Sequence, residues 1–134
     1  MNSVYIQATQ LSPKVILDKE NNQFQIIGKS IVENAHQFYA PVLAWFEEYF
    51  EKPNEKTEVI FHFEYINSSS YLQVANLTKI FSEYTEDNHI NIKWVYDEKD
   101  DSIEEIGRDL QFTYYLKFNF IELNEANKHE YTYN

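Results

Sequence analysis

Apolar positions along the chain switch between a period of two and a period near 3.6, and each switch marks an element boundary. Val4, Ile6 and Ala8 alternate with polar neighbours and mark a candidate first strand. Lys14 to Asp18 and Gln23 to Lys29 form two short β-like runs around the polar turn Asp18-Lys19-Glu20-Asn21-Asn22, the pattern of a hairpin. Ser30-Ile31-Val32-Glu33 has the Ser-x-x-Glu spacing of a capping box, so a helix is expected to begin there. Ala35, Phe38, Val42, Phe46, Tyr49 and Phe50 then recur at helical spacing, carrying an apolar stripe as far as Lys52. Pro41 lies inside the stripe and has no amide proton, which predicts a kink or a lost backbone bond near Gln37.

Pro53 and Asn54 close that helix, and Thr57 to Ile66 is a run of β-branched and aromatic residues expected to form a central strand covered on both faces. Asn67 is followed by three serines, and from Leu72 the apolar positions Ala75, Leu77, Ile80, Phe81 and Tyr84 return to helical period. Ser70 with Gln73, and later Ser102-Ile103-Glu104-Glu105, again have capping-box spacing. Ile90 to Tyr96 reads as a strand, Ile103, Ile106 and Leu110 as one face of a short helix, and Leu116 to Leu123 as the last strand. The order is β-β-α-β-α-β-α-β with a candidate extra strand at the N-terminus. It predicts an α/β domain over residues 1–123, with a mixed, mostly parallel sheet and one antiparallel hairpin. Residues 124–134 are polar and aperiodic, and are expected to be a frayed tail.

Composition narrows the function. The 134 residues are 43% hydrophobic and 17% aromatic, enough apolar material to offset chain entropy in one folded domain. With two glycines there is no glycine-rich phosphate cradle. A formal charge of −11, with Arg108 the single arginine, would repel a phosphate backbone, so no nucleic-acid partner is expected. No cysteine is present, which removes disulfides, thiolate catalysis and Cys-ligated metal. Met1-Asn2-Ser3-Val4-Tyr5-Ile6-Gln7 has neither a basic leader nor a long apolar run, and no segment reaches membrane-spanning length. A cytoplasmic protein with no membrane partner is the resulting expectation.

The serine triplet Ser68-Ser69-Ser70 stands where a strand hands over to a helix, beside unpaired amides and the positive end of a helix dipole, so a phosphate would be well placed there. The competing reading is that these serines only cap the helix. Three adjacent hydroxyls exceed what one cap needs. His62 and Glu64, two apart on a strand, share a face and would suit a metal pair or a base with its orienter, but no third ligand is evident. His36, His62, His89 and His129 are scattered without metal-ligand spacing. Asp97, Glu98, Asp100, Asp101, Glu104 and Glu105 crowd one stretch, yet it lacks the glycine and ligand alternation of a calcium loop. Acids at a helix start are favoured by its dipole, and a negative rim guiding a basic partner is the alternative. No serine lies in a nucleophile-elbow context, so no catalytic residue, metal or cofactor is expected. Aromatics off the apolar stripe, such as Tyr71, are candidates for an interaction surface.

Several stretches together resemble one family. They are Leu11-Ser12-Pro13-Lys14-Val15, Gly28-Lys29-Ser30 followed by Glu33-Asn34, Phe38-Tyr39 with Pro41, Glu64-Tyr65-Ile66-Asn67-Ser68-Ser69-Ser70, and Lys93-Trp94-Val95-Tyr96 with Asp100-Asp101 and Gly107. From Val4 to Leu123 the chain resembles the SiaC family of bacterial regulatory phosphoproteins. The resemblance implies a STAS-like fold, in which a Ser or Thr at the start of the helix after the central strand is phosphorylated. It further implies a kinase and a metal-dependent phosphatase acting on that residue, and an unmodified form that binds and stimulates a diguanylate cyclase. Carried over by position, the acceptor is Ser68, where the family more often has Thr, flanked by Asn67, Ser69, Ser70 and Tyr71. Tyr71 replaces a frequent Lys, and Val32 stands where Pro is common. Two other classes remain open at this point: a small metal-dependent hydrolase built on His62, Glu64 and the acids from Asp97 to Asp101, and a constitutive protein-binding module.

Overall fold

Six strands lie in one sheet in their order along the chain. They are β1 (Val4–Ile6), β2 (Lys14–Asp18), β3 (Gln23–Ser30), β4 (Lys56–Ile66), β5 (His89–Asp97) and β6 (Phe118–Leu123), and the computed structural model describes residues 1–132. Strands β1, β2 and β3 pair antiparallel, so the candidate N-terminal strand is a real edge of the sheet. Strands β3 to β6 pair parallel, joined by α1 (Ala35–Tyr49), α2 (Ser68–Tyr84) and α3 (Asp101–Tyr114). Each crossover advances one strand in the same direction, so crossovers of one hand place all three helices on the same face. Adjacent helices touch, α1 against α2 and α2 against α3.

That topology corrects the expectation that the central strand is covered twice. In β4, Thr57, Val59, Phe61 and Phe63 are buried, whereas Glu58, Ile60 and His62 are half-buried and Glu64 is exposed. None of the three α-helices covers the second face, and the β4 residues there are largely polar. Beneath the helices, Phe24 meets Trp45, Phe46 and Tyr49 at ring separations of 5.8, 6.0 and 5.0 Å. Phe81 of α2 meets Phe46 edge-on at 4.9 Å, closing α1 to α2 through aromatic packing.

The helix starts differ from the capping boxes read in the sequence. Ser30 stays in β3, where it pairs with Ile66 and its buried hydroxyl shares a hydrogen bond of 2.7 Å with Tyr39 Oη. The sheet ladder and this buried bond hold it, and Asn34 caps α1 instead, accepting from the Gln37 amide. Asn67, not Ser70, caps α2, and Asp100, not Ser102, caps α3. For α2 and α3 the Asn or Asp lies upstream of the serine, for α1 it lies downstream of Ser30, and each planar oxygen reaches the amide three residues on. Helix α1 continues through Pro41, whose missing donor leaves the Gln37 carbonyl on the exposed side.

The segment expected to fray forms short turns and a 3-10 helix over Lys128–Tyr131. The Asn124 amide donates to Asn127 Oδ1 at 2.8 Å and the Asn127 amide to Asn124 Oδ1 at 3.1 Å. Residues 133 and 134 of that segment lie outside the described residues. Among the described residues no helix is long and apolar enough to cross a membrane.

Candidate functional site

β4 ends at Ile66, and Asn67 turns the chain into α2 with extended dihedrals of φ −88° and ψ 172°. Its backbone amide donates to Ser30 O at 2.9 Å, extending the β3–β4 pairing by one residue. The side chain works in two directions. Oδ1 accepts from the Ser70 amide at 2.9 Å, and Nδ2 donates to Val32 O at 3.2 Å. Thus one amide both caps α2 and ties the β3–α1 connection to it.

The three serines are placed differently. Ser68 is the first helical residue and is exposed. Ser69 is half-buried, and its hydroxyl donates to Val32 O and to Asn67 Oδ1, each at 3.3 Å. Ser70 is fully buried, and its Oγ has no hydrogen-bond partner. One turn further on, Gln73 Oε1 is also buried and unpartnered. The expected capping roles of Ser69 and Ser70 are therefore taken by Asn67. Ser68 presents the one exposed hydroxyl of the triplet, beside the amides of the first turn at the positive end of the helix dipole.

Ser68 borders a groove of about 380 Å³ lined by Ile66, Asn67, Tyr71, Leu72 and Ile106. Leu72 is 61% exposed, although the helical period counted it with the core positions. Tyr71 is half-buried, and burial, reinforced by Asp109 and Tyr114, pushes its phenol up. A second cleft of about 260 Å³ adjoins the first through Ile66 and Ile106, and adds Glu64, Tyr65, Asp100, Ser102 and Ile103. The groove thus spans the starts of α2 and α3. Sequence reasoning singled out Ser68 and its flanking residues as candidates but read Ile106 only as part of one face of a short helix. The overlooked signal is that Leu72 precedes the first buried apolar position of α2, Val74, on the same turn as Tyr71.

Of the other candidates, Glu64 and Asp100 line the adjoining cleft, and His62 and Asp97 line neither part of the groove. His62 and Glu64 sit on the open face of β4. Burial pushes His62 down, against the pull of Glu64 and Asp97. Asp100 Oδ1 accepts from the Ile103 amide at 3.1 Å and from Ser102 Oγ at 2.8 Å, while Asp97 Oδ1 accepts from the Lys99 amide at 3.0 Å. These acids shape the entrance to α3. Among the described residues no group of three or more His, Asp or Glu side chains is arranged to hold a metal ion.

Comparison with known proteins adds an independent view. The family described as SiaC family regulatory phosphoprotein matches over residues 6–123. The fold is similar to that of apo-SiaC from Pseudomonas aeruginosa, with a TM-score of 0.81 and 20% identity, covering 92% of this chain and 100% of that one. It is also similar to a chain in the crystal structure of the diguanylate cyclase SiaD in complex with its activator SiaC from Pseudomonas aeruginosa. There the TM-score is 0.83 with 19% identity, covering 90% of this chain and 99% of that one. A search of curated proteins found no match.

Proposed function

The chain belongs to the SiaC family of regulatory phosphoproteins, and on that footing we propose that phosphate on Ser68 switches its binding to a diguanylate cyclase. The unmodified form binds and stimulates the cyclase, as the activator SiaC does for SiaD in its complex. A kinase places the phosphoryl group on Ser68 Oγ and a phosphatase hydrolyses it. The protein itself supplies no catalysis and acts in the cytoplasm.

The observation that carries this reading is the combination at one residue of exposure, a helix start and an apolar groove. A neutral serine lets a partner cover Ile66, Tyr71, Leu72 and Ile106 and exclude water at little cost. A phosphoserine brings a charge of about −1.5 to −2 and a tightly held hydration shell to the same spot. With a formal charge of −11 the chain has few cations to neutralise it. The effect is therefore outward, on the interface.

The rival reading, a constitutive module whose serines merely cap the helix, loses support because Asn67 supplies the cap. The test is the affinity of a diguanylate cyclase from the same cell for the unmodified, Ser68→Ala and enzymatically phosphorylated proteins. Ser68→Ala should bind like the unmodified chain and the phosphoprotein at least tenfold more weakly, a loss of about 1.4 kcal/mol. Equal affinity for all three would defeat the switch.

A further inference from the structure

The groove beside Ser68 has two chemically distinct ends, and this difference specifies what fits it. Its first part, between Ile66, Tyr71, Leu72 and Ile106, is aliphatic and aromatic. Its second part carries the carboxylates of Glu64 and Asp100 and the 61% exposed Tyr65. Among the described residues no lysine or arginine lines either part. Asp101 and Glu105 are exposed on the helix that forms one wall, Asp109 lies close enough to Tyr71 to act on its phenol, and the chain as a whole carries −11.

Resting on the reading that the partner docks at the Ser68 edge, we infer that the docking segment seats an apolar anchor between Leu72, Tyr71 and Ile106 and lays basic side chains along the Glu64–Asp100 end. Charge complementarity selects this occupant. An acidic segment would meet uncompensated carboxylates, and a second copy of this chain would bring another −11 to the same place. The anchor supplies the contact that resists dissociation, because burial of Leu72 and Ile106 removes apolar surface from water. The basic flank supplies steering, since charge pairs at a solvated rim act mainly on the association rate and fade with salt. Ser68 lies at the apolar end. Phosphate there obstructs the anchor while remaining off the acidic end that receives the cations, which is why a basic partner is still expelled.

Two probes test the inference. The first is a diguanylate cyclase from the same cell, titrated at low and high salt against Leu72→Ser, Glu64→Lys and the control Phe112→Ser. Phe112 is 80% exposed near the far end of α3. Leu72→Ser should lose at least tenfold in affinity at both salt concentrations. Glu64→Lys should lose affinity chiefly at low salt and flatten the salt dependence, and Phe112→Ser should bind normally. If the Leu72 and Glu64 variants bind normally while phosphorylated Ser68 does not, the switch stands and the groove assignment falls. The second probe is a pair of synthetic helical peptides sharing a leucine anchor and differing only in Lys or Glu flanks. The Lys-flanked peptide should perturb the NMR signals of Ile66, Leu72 and Ile106, and the Glu-flanked one should not. Equal perturbation by both, or by neither, overturns the assignment. Selective binding of the Lys-flanked peptide without any binding of the cyclase would uphold the groove and refute the cyclase as the partner.

Discussion

Gly107 lies so close against Trp94 that a β-carbon added there would sit 2.6 Å from the indole Cδ1 and Nε1. The same indole donates from Nε1 to Ile103 O at 2.9 Å, so α3 is held against β5 at a distance only glycine permits. Gly107→Ala should therefore destabilise the fold. Strain from one surplus methyl costs about 1–3 kcal/mol, and the gain in helix propensity, about 1 kcal/mol, offsets only part of it. Because Ile106 is the next residue and lines the groove, the displaced helix should also weaken partner binding. Urea denaturation and the cyclase titration check both effects, and an unchanged midpoint would show that Trp94 can move aside freely.

Asn67 and Ser70 predict opposite results within one turn. Asn67→Ala removes the acceptor for the Ser70 amide and the donor to Val32 O, so it should cost about 1–2 kcal/mol. Ser70→Ala removes a buried hydroxyl that has no partner, so stability should stay level or rise by up to about 1 kcal/mol. Denaturant midpoints of the two variants decide the matter. A clear loss in Ser70→Ala would mean that its hydroxyl is satisfied in solution.

The contrast between these residues also explains what the sequence could convey. Element order followed from hydrophobic period, because buried positions repeat every two residues in a strand and every three to four in a helix. Helix starts were less legible. Ser30, Ser70 and Ser102 match the spacing of a capping box, but capping is settled by whichever oxygen sits beside the free amide, and those oxygens belong to Asn34, Asn67 and Asp100. Ser68 stood out as a candidate because the change of period fell beside it, at Asn67. The groove did not, since Ile106 comes from a helix some forty residues away and joins Leu72 only through the order of strands in the sheet.

Asp18 should shape the acid limb of stability. It is buried, it accepts hydrogen bonds from the Asn21 side chain at 2.8 Å and the Asn21 amide at 3.1 Å, and Tyr5 Oη donates to it as well. Bonding to Asn21 first, and then to Tyr5, pulls its carboxyl down to about 2. An unfolded Asp titrates near ~3.9. A lowered folded value favours the ionised form, so this contribution is complete above that unfolded value and disappears as pH falls toward about 2. Asp18→Asn should remove the corresponding slope from a plot of unfolding free energy against pH. A slope identical to that of the unmodified protein would place the acid sensitivity elsewhere. Since Tyr5 belongs to β1, loosening of that edge strand should accompany the loss.

Phosphorylation of Ser68 should leave the fold itself almost unchanged, and the sign of the small residual effect can be argued. At the first position of α2 the phosphate faces the positive end of a 17-residue helix, an arrangement worth about 0.3–1 kcal/mol in favour of the folded state. Against this stands repulsion from a chain already at −11, which is screened because Ser68 is exposed. The phosphate displaces no capping bond, because Asn67 holds the Ser70 amide and the Ser69 hydroxyl independently of Ser68. The terms nearly cancel, so the melting temperature of the phosphoprotein should stay within about 4 °C of the unmodified form, the shift that roughly 1 kcal/mol gives in a domain of this size. Calorimetry on the enzymatically phosphorylated protein measures it directly. A drop well beyond that range would mean that phosphate melts the start of α2, and the switch would then act by unfolding the groove instead of by blocking it.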